Sequence, residues 1–402
     1  MAVLSSFSKR LSSVVKEIGR KKGDGGWYGP HMAASERAIR ERIPMVDLVL
    51  EVRDARIPMA SAFKSAWHDM DSSRHMIILN KMDLADCSLT EDQKSGMMIG
   101  RAKKIGGLYY FEETVLSKKK EWTVHFQKQN HICLGVNSHN NESINQLLNA
   151  VKKRTRDLKV GEIQNTSTAT VLLVGIPNVG KSAIANSMHL IGRIDAAEKG
   201  KLKHAVVSPQ PGETRDIRSY KIASHPNIYV FDTPGVLSAE IADDDSGSKL
   251  ALAGAIKDSL IGEYNLARFL LAVLSSSDVY KSWEGLKRAW DQVLLSNTQT
   301  GKFVDSDQKR RRQYESDHTQ DSIVSDVRQT LFESISSLKL HQEKEEEMER
   351  FMDVAFTVLC EPLRILNKSE EDRCKVVASK LLNLYRTGRL GRYTLDIAPR
   401  NA

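Results

Sequence analysis

Short, almost uninterrupted apolar runs recur along the first half of the chain. VDLVLEV (46–52), HMIILN (75–80), HICLGV (131–136), ATVLLVG (169–175) and NIYVFD (227–232) are rich in β-branched residues and bounded by polar ones. Continuous apolar strands of this length suit a parallel sheet covered on both faces. A stretch of helical spacing, AASERAIRERI (33–43), precedes the first of them, and others, including NESINQLLNAVKKRTRDL (141–158) and SAIANSMHLIG (182–192), lie between several of them. The alternation predicts a doubly wound α/β domain with a mainly parallel sheet. From Lys249 the strand signal stops. KLALAGAIKDSLIGEYNLARFLLAVL (249–274), residues 327–359 and CKVVASKLLNLYRTG (374–388) again have helical spacing. A polar segment, 296–322, is expected to loop out or stay disordered. The expected organisation is an α/β domain over 23–248 and a smaller all-α domain over 249–402.

The first 22 residues have a pattern of their own. Leu4, Phe7, Leu11, Val14, Val15 and Ile18 share a helical arc of about 100°, with Lys9, Lys16 and Arg20 opposite and no acid before Glu17. A basic, amphipathic, acid-poor start is the pattern of an organellar transit peptide. An ordinary first helix has the same periodicity. The preferred reading is residues 1–22 as a mitochondrial transit peptide, placing the protein in the matrix or peripheral to the inner membrane. The plastid is the alternative.

Composition narrows the class without naming it. A chain of 402 residues has room for about two domains with cores of their own. The 41% hydrophobic and 27% charged content fits a soluble globular protein. No apolar run reaches the roughly 18 residues that a membrane-spanning helix requires, so stable membrane insertion is not expected. Cys87, Cys133, Cys360 and Cys374 lie far apart with no CxxC pair, which argues against a zinc site or a disulfide framework. The formal charge of +8 fits an anionic partner, and equally a solvated surface.

Chemistry enters with GIPNVGKS (175–182), which follows an apolar strand and opens a helix. That context makes a G-x-x-x-x-G-K-[ST] match a phosphate loop. Gly175 and Gly180 let backbone N–H groups curl round phosphates, Lys181 reaches the β- and γ-phosphate oxygens, and Ser182 offers its hydroxyl to Mg²⁺. VFDTPGV (230–236) supplies Asp232 as a second magnesium residue and Gly235 as a close approach to the γ-phosphate. Between them, PQPGETRD (209–216) provides Thr214 for Mg²⁺ and the γ-phosphate.

A base-reading loop, NKMD (80–83), stands far upstream of the phosphate loop. Guanine presents an N1–H and an N2 amino group on one edge, and a carboxylate at Asp83 accepts both, a pairing adenine leaves unmade. Asn80 braces the loop and the stem of Lys81 covers the base. VNSHN (136–140) provides a second base loop, with a backbone amide near Ser138 facing guanine O6. The candidate GTP- and GDP-binding set is Asn80, Lys81, Met82, Asp83, Ser138, Asn178, Val179, Gly180, Lys181, Ser182, Ala183, Thr214 and Gly235. In the common order of such motifs the base loops come last, whereas here they come first. A parallel sheet tolerates the change, because the site needs strand ends to converge in space in whatever chain order. The chain then runs from Gly235 almost directly into the C-terminal domain, so a switch at Gly235 would pull on that domain.

In this order the motifs resemble the circularly permuted YlqF/RbgA-type (DAR) GTPases, which assist assembly of the large ribosomal subunit. EVRDARIP (51–58), WYGPHMAASERAI (27–39) and LYRTGRLGRYTLD (384–396) are similar to further signatures of that family. The resemblance implies a circularly permuted P-loop GTPase domain followed by a smaller all-α domain. It also implies hydrolysis of GTP that is slow alone and stimulated by ribosomal particles, and assembly of the mitochondrial large ribosomal subunit by a protein that is monomeric when free. Val236 stands where many GTPases carry a water-orienting glutamine, and the family assigns that task to the histidine matching His31. Here Gly29-Pro30 precedes it, the reverse of the usual family order. Asn178 matches an asparagine that helps hold K⁺ in related phosphate loops. Arg53, Arg56, Arg386, Arg389 and Arg392 are candidate RNA or ribosome contacts, with solvated or structural roles as the alternative. Trp27 and Tyr28 either stack on bases or, as preferred, anchor the linker. Two other classes fit parts of the pattern: a metabolic P-loop kinase or ATPase, and a GTP-dependent organellar RNA-binding or RNA-modification partner with no assembly role.

Overall fold

The protein is described from a computed structural model, which covers residues 2–21, 26–63, 71–86, 101–105, 108–112, 118–129, 131–159, 168–195, 216–238, 241, 245–284, 318–339, 345–365 and 369–397. These residues form two compact units. Tyr28–Ala239 with Arg392–Ala402 makes one, and Met1–Trp27 with Glu240–Gly391 makes the other.

The first unit is built on a six-stranded sheet. Its strands are β1 (Leu48–Asp54), β2 (His75–Asn80), β5 (Ile132–Gly135), β6 (Ala169–Val174), β7 (Arg218–Ser224) and β8 (Asn227–Asp232), in the order β5-β2-β1-β6-β8-β7. β3 (Arg101–Ile105) and β4 (Leu108–Glu112) form a separate antiparallel hairpin. The first five strands of the sheet run parallel, with Asp54 opposite Asn80, Glu51 opposite Val174, and Leu172 opposite Phe231. β1 and β2 are buried along their whole length, as continuous apolar runs require. Helices α2 (Pro30–Arg42), α3 (Lys118–Lys128), α4 (Asn141–Leu158) and α5 (Lys181–Asp195) belong to this unit. Ile39 on α2 joins Val49, Leu172, Val174 and Val236 in one cluster, while Trp122 and Phe126 on α3 join Ile77, Leu79 and Cys133 in another. β7, antiparallel to β8, has no counterpart in the apolar pattern. RSYKIAS carries Arg218 and Lys221, charges that keep a sheet edge from pairing further and that hide the strand.

The second unit is helical: α1 (Ala2–Arg20), α6 (Ser246–Leu252), α7 (Asp258–Ile261), α8 (Glu263–Ser276), α9 (Asp321–Lys339), α10 (Glu345–Val358) and α11 (Glu370–Arg386). The stretch of helical spacing over 249–274 forms three separate helices, with turns at Gly254 and Gly262, whose φ values are 83° and 93°. α8 packs against α1, α6 and α11, and its apolar residues from Leu266 to Leu274 are buried on nearly every face.

The division differs from the boundaries 1–22, 23–248 and 249–402 at both ends. Helix α1, read as a transit peptide, buries Phe7, Leu11, Val15 and Ile18 within the helical unit. Small residues allow a close approach to α6: Ser8 Oγ and Ser248 Oγ lie 2.8 Å apart, and the Ser248 amide donates to Ser12 Oγ at 2.9 Å. At the other end, residues 392–397 leave the helices and belong with the sheet. Most of the polar segment 296–322 lies outside the described residues. Among the described residues no helix is long and apolar enough to cross a membrane.

Candidate functional site

The C-terminal ends of parallel strands share one edge of a sheet, where open α/β folds bind ligands. Here β1 ends in the DAR segment, β2 in NKMD, β5 in the second base loop, β6 in the phosphate loop and β8 in DTPG. The inverted chain order therefore still gathers these five loops on one edge.

The phosphate loop is curled tightly. Gly175 and Gly180 have φ of 151° and 96°, and Asn178 takes φ of 61°, a conformation that asparagine tolerates better than most residues. A Cβ on Gly180 would sit 2.2 Å from Asn80 Nδ2. Lys181 Nζ donates to the carbonyls of Gly175 at 3.1 Å and Ile176 at 2.9 Å, so the loop wraps its own lysine. Val179 and Lys181 are buried, and Ala183 partly so. Burial pulls the Lys181 ammonium down to about 8; Asp232 opposes the shift and Lys81 adds to it.

That depression fixes a sign. Between about pH 8 and the ordinary lysine range the free protein holds Lys181 neutral, whereas a phosphate anion beside it would restore the proton. Binding of GDP at pH 8.5 is therefore expected to take up about half to one proton, and affinity should fall as pH rises through 8. Calorimetry in buffers of different ionisation enthalpy measures the uptake directly. A slope of zero at pH 8.5 would contradict it.

The base loop is joined to the phosphate loop by one side chain. Asn80 Nδ2 donates to Val179 O at 2.8 Å, across 99 positions of sequence, and Asn80 Oδ1 accepts from the Ser138 amide at 3.2 Å. Ser138 is thus placed as a brace between the two base loops. Its own amide points at Asn80, so it is not free to face guanine O6. The next amide, of His139, is taken by Asn137 Oδ1 at 2.9 Å. Lys81 has φ of 61°, and its ammonium lies 3.0 Å from Asp54 Oδ2. The Met82 amide donates to Val136 O at 3.2 Å, and its side chain lies over Gly135. Asp83 is half-buried, and among the described residues no donor takes its carboxylate.

Asp54 is a residue that sequence reasoning missed. Its carboxylate binds Arg56 through Nε at 3.0 Å and Nη2 at 2.8 Å, and binds Lys81 as well. Burial alone would raise its pKa, but the two cations outweigh burial and hold it well below the carboxylate range. One strand position earlier, Arg53 makes a two-pronged contact with buried Glu51 at 2.7 and 2.9 Å. Burial would raise Glu51 too, yet Arg53 and His75 bring it down to about 2. The alternating charges of E-x-R-D-x-R at a strand end were the available signal. They correct the reading of Arg53 and Arg56 as RNA contacts: both guanidinium groups are buried in these pairs. Arg386 is corrected likewise, since it clasps Asp258 through two 2.7 Å contacts and caps the carbonyls of Ala251 and Leu252. Arg389 is exposed and pairs with Asp321, while Arg392 is exposed.

Around DTPG, the Ser182 hydroxyl donates to Asp232 Oδ2 at 2.6 Å. Among the described residues Asp232 Oδ1 is buried without a hydrogen-bond partner, and burial raises the pKa of this carboxyl against the opposing pull of Ser182 and Lys181. An unanswered buried carboxylate oxygen beside a hydroxyl fits a hard divalent cation. A Cβ on Gly235 would sit 2.5 Å from Pro177 Cα, so the switch segment touches the phosphate-loop backbone. Thr214 lies outside the described residues. Val236 is turned into the core, where Met32 also packs, and Met32 Sδ accepts from the Leu237 amide at 3.4 Å. The start of α2 is therefore held against the residues that follow Gly235, and exposed His31 precedes Met32. Pro30 occupies the first helical position after an extended Gly29, a place proline favours. The reversed Gly-Pro order is absorbed by the helix start. Tyr28 donates to Glu36 Oε2 at 2.5 Å, an anchoring contact that pushes its phenol up to about 12.

The family model described as 50S ribosome-binding GTPase matches residues 170–297. The chain is 46% identical over 373 residues to DAR GTPase 2, mitochondrial, of Arabidopsis thaliana, covering 92% of this chain and 90% of that one. It is 33% identical over 254 residues to mitochondrial ribosome-associated GTPase 1 of Xenopus tropicalis, covering 62% and 70%. GNP-bound YlqF from T. maritima aligns over 90% of this chain and 100% of its own, at 19% identity and a TM-score of 0.40.

Proposed function

We propose, from the premise that this chain belongs to the YlqF/RbgA-type (DAR) family of circularly permuted GTPases, that it is a GTP-switched assembly factor for the mitochondrial large ribosomal subunit. The observation that carries the nucleotide half is the Asn80–Val179 hydrogen bond. It sets a guanine-reading loop and a phosphate loop side by side although they are far apart and inverted in sequence. Asp83 reads the guanine edge, with Lys81 and Met82 flanking the base and Asn80 and Ser138 bracing the loop. Residues 178–183 cradle the phosphates, with Lys181 on the β- and γ-oxygens.

Ser182, Asp232 and Thr214 hold Mg²⁺, which supplies positive charge against the phosphate oxygens. Asn178 contributes to a K⁺ site. Gly235 senses the γ-phosphate, and His31 orients the attacking water. Turnover is slow in the free, monomeric protein, because the partner must bring the exposed His31 side chain to the attacking water.

The ribosomal half rests on the matching family description and on the relative named for its association with the mitochondrial ribosome. Chain connectivity supplies a route for coupling. The backbone passes between the two units at 27/28, 239/240 and 391/392, each within a few residues of His31, Gly235 or the segment contacting the base loop. A partner engaging the helical unit therefore acts on chain that continues directly into the site. The mitochondrial matrix, or the matrix face of the inner membrane, is the proposed location, with the plastid as the alternative; the relatives named mitochondrial favour the first.

Co-sedimentation of the full chain with large-subunit precursors from isolated mitochondria tests the reading. Association is expected with a non-hydrolysable GTP analogue and release is expected with GDP. Equal sedimentation in both states, or binding to bare RNA but not to particles, would overturn the assembly role.

A further inference from the structure

The last described residues return to the sheet-bearing unit and bind two loops of the candidate site. The Tyr393 amide donates to Leu84 O at 3.1 Å, and Thr394 Oγ1 accepts from the Asp86 amide at 3.2 Å. The Leu395 amide donates to Arg56 O at 2.7 Å. Asp396 Oδ2 accepts from the amides of Met59 at 2.8 Å and Ala60 at 3.0 Å. Tyr393 and Asp396 are buried. This short strap therefore ties the residues just after Asp83 to the DAR loop, whose Asp54 holds Lys81.

The two sides of the base loop are secured differently. Its leading side is fixed by groups of the sheet: Asn80 to Val179 and Ser138, Lys81 to Asp54, and Met82 to Val136. On its trailing side, Leu84 and Asp86 are met by the strap. A carboxylate that must accept two hydrogen bonds from one base edge tolerates only about 0.5 Å of misplacement, so both sides of the turn matter. We propose, resting on the guanine-reading role of Asp83, that Tyr393–Asp396 is a positioning segment for base selection, with Thr394 and Asp396 as its anchoring side chains. It touches no part of the nucleotide and acts through the loop.

The test uses the full chain carrying Thr394→Val together with Asp396→Ala, with fluorescent GDP as the probe and ADP and inorganic tripolyphosphate as competitors. Loss of a hydroxyl acceptor and a charged acceptor is expected to weaken GDP about tenfold, mainly through faster dissociation. Tripolyphosphate, which engages the phosphate loop alone, should compete as it does with the unaltered protein. Asp396→Asn keeps a carbonyl acceptor and should restore most of the affinity. Thr394→Val alone, the mildest change, should show a smaller loss in the same direction. GDP affinity unchanged in the double variant, or GDP and tripolyphosphate weakened equally, would overturn the strap's role while leaving base reading intact. An unaltered protein that fails to prefer GDP over ADP would instead overturn the guanine reading and this proposal with it.

Discussion

Replacing Asp83 with asparagine is expected to exchange guanine for xanthine as the preferred base. The carboxylate is half-buried and, among the described residues, unclaimed by any protein donor. Two charge-assisted hydrogen bonds to guanine N1–H and N2 are worth about 1.5–3 kcal/mol each. Their loss predicts a fall in GTP affinity of about 10²–10⁴-fold. Xanthine carries an oxygen where guanine has its amino group, and the side-chain amide that the substitution introduces can donate to it, so xanthosine nucleotides should gain what GTP loses. Folding should be unaffected, because Asn80, Lys81 and Met82 hold the turn through groups that the substitution does not touch. Competition binding with GTP, XTP and ATP measures the exchange. An Asp83→Asn protein that still discriminates against xanthosine nucleotides would remove Asp83 from base reading.

The parts of this site legible in sequence are those in which one residue type does one job at a fixed spacing. The phosphate loop, NKMD and DTPG are of that kind; the strands before the first two announced themselves because burial at nearly every position leaves few polar ones, while β8, buried at alternate positions, was marked by its apolar and aromatic residues. What stayed hidden depended on pairing across space. E-x-R-D-x-R reads as surface charge until Asp54 is seen between Arg56 and Lys81, which changes DAR from a basic contact patch into a brace for the base loop. Arg386 reads as one of a run of phosphate-seeking arginines until Asp258 is found beside it. Helix α1 has a periodicity shared by an import signal and a packed helix. The Ser8–Ser248 and Ser12–Ser248 contacts show it packed, and no pattern within residues 1–22 contains Ser248. The strap at 393–396 is invisible for the same reason: its partners lie more than 300 positions upstream.

His31→Ala is the complementary expectation, directed at turnover with binding left intact. Val236 cannot orient water, and its placement shows why a glutamine put there would not help. The side chain at 236 is buried among Ile39, Ile43, Val49, Leu172 and Val174, so Val236→Gln would bury an amide at a cost of about 1–3 kcal/mol without turning it toward a phosphate. The group proposed for that task comes from another element, α2, which among the described residues packs against this segment. Met32 packs against the cluster that holds Val236 and accepts from the Leu237 amide, and His31 stands one residue earlier, exposed, in the first turn of a helix whose start Pro30 fixes. Because His31 is exposed, its removal should leave folding and GDP affinity within about threefold, the range of a neutral surface change. Single-turnover hydrolysis should fall by about 10²–10³-fold, the scale of a positioned acid–base or orienting group, and the fall should be largest with large-subunit particles present, when the partner has brought the His31 side chain to the attacking water. Quench-flow measurement of GTP cleavage with and without particles separates the cases. Unchanged cleavage in both conditions would assign water orientation to another group. Loss of nucleotide affinity in parallel with cleavage would make His31 a structural residue of the α2 start.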